Sequence, residues 1–321
     1  MVNSNFMRSF VCFARAGVVL LAPFLSACGA GAQGPPASEL WREFSGPRAF
    51  ANVEKIVSFG PRPSGSPALE QTRQYLESQL RSAGWSVERQ AFKQETPRGE
   101  IEFVNLVARF GDTRPTDPRA LVSTHYDTKF FESITFVGAN DGGSGTGAML
   151  ELARVLALRP SLARRVELVF FDGEEATLRF SSFDGLEPAT HVDGLHGSRH
   201  YARVLRDSGR AKQFRFGILW DMIGDADLGL TLPADSPPEL VRGIFASAEA
   251  LHERAKFGLQ NDAMLDDHVP LNRAGVPTID LIDFDFPPWH TAGDTLKTIA
   301  PESLQTVGRV TVHYLGGAGL E

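Results

Sequence analysis

Four short apolar runs along the chain are each followed at once by acidic residues or histidines. Runs of this length and composition are typical of buried β-strands. In open α/β sheets the carboxyl ends of parallel strands lie along one edge, and ligands bind there. We therefore expect the polar residues after the four runs to meet at one site. The runs are "ALVSTHYDTK", "VELVFFDGEEA", "FGILWDMIGD" and "TIDLIDFDFPPWH".

Strand-like and helical segments alternate along most of the sequence. This alternation predicts an α/β fold: a three-layer sandwich with a mixed, mostly parallel central sheet and an antiparallel edge formed by the early strands. The 42% hydrophobic content is sufficient for a substantial core, and a single catalytic domain over residues 40–321 is the simplest division. The predicted strands are 101–110, 120–124, 166–171, 214–220 and 276–282, and the predicted helices are 67–83, 145–158, 197–208, 237–251 and 301–314.

The N-terminal segment has the composition of an export signal. Arg8 and Arg15 precede or flank an apolar run at residues 18–25, which is too short to span a membrane comfortably. The ending "LSAC" resembles the lipobox of bacterial lipoproteins, in which cleavage precedes a lipid-bearing cysteine. We predict a signal peptide over residues 1–27, a lipid anchor at Cys28 and a flexible tether over residues 28–39. The protein would then be periplasmic, or an outer-membrane lipoprotein facing the periplasm or the exterior; a plain cleaved signal is the alternative.

Charge and cysteine content narrow the classes of partner. The net charge is −7 and no cluster of lysine or arginine stands out, so nothing supports a nucleic-acid surface. We expect membrane contact only through Cys28. Cleavage before Cys28 would remove Cys12, the only other cysteine, so no intrachain disulfide is expected. We expect a monomer.

The polar residues after the strands have the chemistry of a metal site. Histidines and carboxylates without cysteine are the ligand set of a hydrolytic zinc site, which keeps three protein ligands and one open position. Glu174 and Glu175 are adjacent and repel each other, so a cation should lie nearby or one pKa should be shifted. The glycine-rich "GANDGGSGTG" adds Asp141; it lacks the Lys and Ser/Thr of a phosphate-binding loop. A lone Asp at a strand end is more often a turn residue or helix cap than a metal ligand. The prediction of a metal site therefore depends on the combination of these acids and histidines.

Seven motifs, "STHYDTK", "FVGANDGGSGTGAMLELARVL", "VELVFFDGEEA", "GLHGSRHYA", "WDMIGD", "LDDHVPLNRAGVPTIDLI" and "FPPWHTAGDT", occur in this order. Together they resemble the zinc-dependent glutaminyl-peptide cyclotransferases (glutaminyl cyclases) of the M28 metallopeptidase clan. The similarity begins near Phe59 and covers nearly all of the predicted mature chain. It implies a zinc-exopeptidase-like fold and an enzyme that cyclises the N-terminal glutamine of peptides or proteins to pyroglutamate and releases ammonia.

The resemblance also implies roles for individual residues. Two positions depart from the animal members: Phe180 stands where they have a tryptophan, and Asp280 where they have a histidine. Pocket shape is therefore expected to differ. The implied residues are Asp141, Glu175 and His290 as ligands of one zinc ion, Glu174 as general acid/base, Asp221 and Asp266 as catalytic carboxylates that hydrogen-bond with each other, and Trp289, Phe286 and Phe180 as substrate-binding residues.

An aminopeptidase of the same clan is the alternative interpretation. Such enzymes bind two zinc ions, with Asp141 as the bridge, His125 and Asp221 on the second ion, and Glu174 activating a bridging water. The cyclases keep equivalents of these residues while using one zinc, so their presence does not decide. The "GSRH" and "DDH" motifs and Trp289 favour the cyclase. A lipoprotein that only binds is a third hypothesis, disfavoured because binding does not require a non-ligand Glu174.

Overall fold

The structure, a computed structural model, describes residues 34–180, 186 and 193–320. These residues contain eight α-helices and eight strands. The helices are α1 (Gly46–Val57), α2 (Pro67–Ser82), α3 (Gly143–Ala157), α4 (Pro160–Ala163), α5 (His196–Asp207), α6 (Pro238–Ala250), α7 (His268–Ala274) and α8 (Pro301–Gly317). The strands are β1 (Trp85–Thr96), β2 (Gly99–Phe110), β3 (Ala120–His125), β4 (Val166–Phe171), β5 (Phe216–Asp221), β6 (Leu230–Leu232), β7 (Phe257–Leu259) and β8 (Thr278–Ile282).

The central sheet has six strands in the order β1, β2, β4, β3, β5, β8. The strands β4, β3, β5 and β8 are parallel to one another, whereas β2 pairs antiparallel with both β1 and β4. Every residue of β3, β4 and β5 is buried, as expected for parallel strands covered on both faces. The predicted antiparallel edge is therefore formed by β1 and β2.

Alternate residues of the central strands pack into two separate cores. Val122 of β3 and Phe170 of β4 belong to the larger core, together with apolar residues of α1, α3 and α8. Their neighbours in sequence, Leu121 and Phe171, belong to the second core with residues of α5 and α7. Helices thus cover both faces of the sheet. The predicted three-layer α/β sandwich with a mixed, mostly parallel sheet is confirmed.

The predicted elements correspond to β2, β3, β4, β5, β8 and to α2, α3, α5, α6 and α8. The long elements β1 and α1 and the short elements β6, β7, α4 and α7 were not predicted. β1 is an edge strand in which buried and exposed positions are mixed, and its polar residues made the segment resemble a loop. The sequence does carry a signal for the start of α1, which is the N-cap residue Ser45. Its Oγ accepts a hydrogen bond from the backbone nitrogen of Arg48.

The predictions for the N-terminal segment fall largely on residues that the structure does not describe. The predicted signal peptide and Cys28 lie outside the described residues, which begin at Gly34. From Gly34 onward the chain forms one compact unit. Nowhere in the described ranges is a helix both long and apolar enough to cross a membrane.

Gly142 fixes the loop that leads from β3 into α3. Its φ is 75°, a conformation that favours glycine. A Cβ atom at this position would lie 2.4 Å from the carbonyl oxygen of Asp127 and 3.1 Å from Cε1 of His125. A side chain here would push the loop away from the end of β3, so Gly142 allows Asp141 to lie beside that strand.

Candidate active site

Three side chains converge beyond the carboxyl ends of the parallel strands. Nε2 of His290 lies 3.0 Å from Oε1 of Glu175 and 3.3 Å from Oδ2 of Asp141. The candidate ligand atoms of the three residues all lie within 4.8 Å of one another. One imidazole nitrogen can donate only one hydrogen bond, yet two carboxylates face it. Two carboxylates and one imidazole fit a divalent metal with an open coordination position, so the three predicted zinc ligands form a suitable donor set.

Aromatic rings hold His290 in place. Its backbone has φ of 53°, an uncommon conformation for a residue other than glycine. The ring of Trp289 stacks on the imidazole at a centroid distance of 4.1 Å. Phe131 and Phe136 approach the imidazole edge-on, each at 5.8 Å. These contacts orient Nε2 toward the two carboxylates. Neither phenylalanine was predicted from the sequence.

A second group shares Asp141. Nε2 of His125 lies 3.2 Å from Oδ1 of Asp141 and 3.2 Å from Oδ1 of Asp221, and these three residues also form a candidate metal group. Asp141 thus directs one oxygen to His125 and the other to His290. This is the position of a bridging ligand, and it matches the predicted residues of a second metal site.

Glu174 lies beside both groups. Its Oε2 is 4.0 Å from Nδ1 of His125, and the candidate metal groups do not include it. Burial, together with the negative charge of Glu175, raises the pKa of Glu174 well above its usual range. The backbone nitrogens of Glu174 and Glu175 both donate to the carboxylate of Asp127, at 3.3 Å each. Asp127 therefore fixes the backbone of both acids.

Asp266 connects the pocket to a buried group of charges. Burial and the charge of Asp280 raise the pKa of Asp266 well above its usual range, and Asp221 adds to the effect. The ring of His268 lies between two carboxylates, with Nδ1 3.4 Å from Asp280 and Nε2 3.3 Å from Asp235. Asp280 is the residue that departs from the animal cyclases, and in this chain its nearest cationic partner is His268.

A pocket of about 570 Å³ opens beside these carboxylates. Glu174, Asp221 and Asp266 line it together with the aromatic residues Phe180 and Trp289. Phe286, the third predicted substrate-binding residue, is instead buried below the pocket wall. It packs against Met222 and Ile282, which do line the pocket.

Phe284 lines the pocket in addition to the predicted residues, and its ring lies 5.0 Å from that of Trp289. It was missed although it stands only two positions before Phe286. The feature that reveals it is its exposure in the folded chain, where 44% of this large apolar residue is accessible to solvent.

Three charged residues that were not predicted from the sequence support the site. Both backbone nitrogens of the Asn140–Asp141 pair donate to the carboxylate of Asp294, at 2.7 and 3.0 Å. Arg62 is fully buried and donates to the carbonyl oxygens of residues 137 and 138, in the same loop. Nζ of Lys129 lies 3.2 Å from Oε2 of Glu175. Asp294 lies within the motif "FPPWHTAGDT", and Arg62 lies at the start of the similarity near Phe59, but only the fold reveals what they contact.

Comparison with known proteins places this geometry in a family. Residues 105–315 match Peptidase family M28. A glutaminyl-peptide cyclotransferase-like protein of Bos taurus is 30% identical over 284 residues, covering 79% of this chain and 71% of the relative.

Two solved structures extend the comparison. The glutaminyl cyclase of an Acidobacteriales bacterium superposes with a TM-score of 0.74 at 31% identity, covering 89% of this chain and 97% of that one. A leucine aminopeptidase precursor from Bacteroides thetaiotaomicron superposes with a TM-score of 0.75 at 26% identity, covering 86% and 98%. The chain belongs to peptidase family M28 and, within it, to the glutaminyl-peptide cyclotransferases.

Proposed function

We propose that this enzyme cyclises the N-terminal glutamine of peptides and proteins to pyroglutamate, with one zinc ion held by Asp141, Glu175 and His290. The observation that carries the proposal is the environment of Glu174. This acid lies beside the ligand group and outside it, and its pKa is raised. A general acid/base requires this combination of position and proton affinity.

The reaction forms one bond and breaks one. The α-amine nitrogen of the substrate attacks the side-chain amide carbon of the same glutamine, and the amide nitrogen leaves as ammonia. When bound, zinc would act as a Lewis acid on the side-chain carbonyl. Glu174 accepts the proton that the attacking amine loses and delivers it to the departing nitrogen, so the enzyme returns to its starting protonation state.

The pocket wall contributes orientation. Because the nucleophile and the electrophile belong to one residue, the enzyme gains by holding that residue bent, with the amine close to the amide carbon. Trp289 stacks on His290 and lines the pocket, so its ring would limit the substrate to bent conformations. Asp221 and Asp266 both line the pocket and would face the reacting amine. Asp266 has a raised pKa, and its side chain hydrogen-bonds with Asp280; the expected hydrogen bond between Asp266 and Asp221 stays a prediction.

A di-zinc aminopeptidase is the second candidate function. The group formed by His125, Asp141 and Asp221 favours it, because these residues are arranged as a second metal site with a shared ligand. In that case Glu174 would activate a water molecule that attacks a peptide bond. The two functions differ in the product and in the number of metal ions bound.

One assay distinguishes them. Purified protein is incubated with a glutaminyl peptide, with and without a chelator, and ammonia, free amino acids and bound zinc are measured. Chelator-sensitive release of ammonia, with a blocked N-terminus and one zinc per chain, supports the cyclase. A freed amino acid with two zinc ions per chain supports the aminopeptidase. If neither product forms, a protein that only binds is the remaining hypothesis.

Export and anchoring are part of the proposal. The signal-like residues 1–27 and the "LSAC" ending support cleavage before Cys28 and lipid attachment to it, on the periplasmic or outer surface. Labelling with a radioactive fatty acid should mark the wild-type chain, and Cys28→Ser should abolish the label. A labelled variant would contradict the anchor. The monomeric state also remains a prediction, which size-exclusion chromatography tests.

A further inference from the structure

Large apolar side chains are exposed mainly at one place on the described part of the chain. Five large apolar residues are exposed in the described ranges, and four of them line the pocket that contains Glu174 and His290. The fifth, Leu259, does not line it. Exposed apolar residues gathered around one opening usually mark a binding surface. The four pocket residues are Leu178, Phe180, Phe284 and Trp289.

Phe284 reaches the ligand group through the ring of Trp289. Trp289 stacks on the ligand His290 at 4.1 Å, and Phe284 contacts the outer ring, Trp289, at 5.0 Å. The aromatic surface therefore extends outward from the metal ligand in two layers. Leu178 is the most exposed of the four residues, with 68% of its surface accessible. We call Leu178 and Phe284 the outer rim.

The backbone of the outer rim is fixed on the Leu178 side. The backbone nitrogens of Thr177, Leu178 and Arg179 all donate to the buried carboxylate of Asp193, at 2.8, 2.8 and 2.9 Å. The exposure of Leu178 therefore comes from a hydrogen-bonded turn that presents its side chain to solvent. A surface held in this way is organised before a ligand binds, which reduces the entropy lost on binding.

The volume leaves room for more than one residue of substrate. A pocket of about 570 Å³ falls within the range of roughly 300–1,000 Å³ that holds a drug-sized ligand. When glutamine occupies the inner part beside Glu174, the rest of the peptide must leave through the opening. Its second residue would then pass Leu178 and Phe284.

We propose that the outer rim is a subsite for the residue that follows glutamine, and that it selects large apolar side chains at this position. The proposal rests on the proposed function, because it assumes that glutamine occupies the inner pocket. Burial of apolar surface supplies the selectivity. An aromatic or large aliphatic second residue covers Leu178 and Phe284, whereas alanine leaves them exposed to water.

The test compares two amidated peptides that differ only in their second residue, Gln-Phe-Gly and Gln-Ala-Gly. For the wild type, the ratio of kcat/KM for the phenylalanine peptide to that for the alanine peptide should be on the order of 10, as expected for burying most of one aromatic side chain. Phe284→Ala and Leu178→Ala should each lower this ratio, and the double variant should bring it close to one. Leu259→Ala removes an equally exposed leucine outside the pocket and should leave the ratio unchanged.

A ratio near one in the wild type would overturn the proposal, as would an undiminished ratio in the double variant. A binding measurement separates this failure from failure of the proposed function. The same two peptides are titrated calorimetrically into the Glu174→Gln protein, which is expected to bind without turnover. If the wild type releases no ammonia from either peptide, the proposed function fails. Tighter binding of the phenylalanine peptide would then still uphold the subsite, and equal binding would overturn it.

Discussion

The carboxylate of Asp294 holds the backbone of Asp141, with Oδ2 of Asp294 3.0 Å from the backbone nitrogen of Asp141. Asp294 is completely buried, and its other oxygen accepts from Asn140 at 2.7 Å. Asp294 does not belong to the candidate metal groups of the described residues. It therefore orients a proposed ligand through the main chain.

Replacing Asp294 should weaken metal binding while leaving all three proposed ligands in place. Asp294→Ala removes both acceptors, so we expect zinc affinity to fall by roughly 10–100-fold, as for other residues that support metal ligands. Asp294→Asn keeps one oxygen acceptor and should lose less. Competition with a chromophoric chelator measures both. The exposed Asp112→Ala serves as control, and unchanged affinity in Asp294→Ala would contradict the positioning role.

Glu174→Gln should abolish turnover and leave zinc bound. The amide has nearly the same shape but cannot carry the proton between the amine and the departing nitrogen, so we expect a loss of at least roughly 10²–10⁴-fold in kcat. The neighbouring Glu175→Gln is the matched control, and it should lose zinc because Glu175 is a proposed ligand. Ammonia release and metal content are measured on the same samples. Retained activity in Glu174→Gln would reject its role.

His290→Ala should lose the metal. It removes the only imidazole of the group formed with Asp141 and Glu175, and two carboxylates alone bind zinc more weakly. Metal content after dialysis measures the effect. His252→Asn is a suitable control because His252 is exposed and has φ of 61°, which asparagine tolerates. Full zinc content in His290→Ala would show that the metal lies elsewhere.

His125→Ala should leave the zinc content near one per chain. His125 faces Asp141 and Asp221 and does not belong to the group around His290, so a single-zinc cyclase does not need it as a ligand. The same dialysis and metal analysis apply. A fall from two zinc ions to one would instead favour the aminopeptidase.

His268 should make stability depend on pH. Although burial opposes its charge, hydrogen bonds to Asp235 and Asp280 raise the pKa of His268 from 6.5 to about 10. A folded-state pKa above the unfolded value gives stability that is fully present below pH 6.5 and is lost as the pH rises through about 10.

His268→Gln removes this charge. We expect it to lower the free energy of unfolding by about 3 kcal/mol below pH 6.5, as for one partner lost from a buried ion pair. The difference from wild type should shrink steadily between pH 6.5 and 10, which urea unfolding at several pH values measures. A difference that stays constant over this range would show that His268 acts through packing and not through its charge.

Buried strands were predictable because their environment is uniform. β3, β4 and β5 are covered on both faces, so their residues are apolar without interruption and the runs are visible in the sequence. β1 has one partner strand and a largely exposed face. It carries charged residues at the exposed positions, and an edge strand of this kind cannot be distinguished from a polar loop by its composition alone.

The resemblance implied Phe286 as a pocket residue, and the structure places Phe284 there instead. Phe284 and Phe286 are two residues apart and would lie on one face of an extended strand. β8 ends at Ile282, however, and the two phenylalanines follow it. Phe284 lines the pocket, while Phe286 packs against Met222 below its wall. Which ring faces the substrate depends on backbone torsions that no pattern in the sequence specifies.

The sequence by itself determined the fold class and the chemical inventory of the site. Apolar runs must be buried, and polar residues at the ends of parallel strands must meet at one edge, so a site containing Glu174, Glu175 and His290 could be expected. The resemblance to the glutaminyl cyclases then implied individual roles for these residues and for Asp141. The tertiary structure decided which groups touch. Asp294 under Asp141, Lys129 beside Glu175 and His268 between two acids are contacts between distant segments. Their distances and pKa shifts depend on how loops fold over the sheet edge, which short-range patterns do not encode.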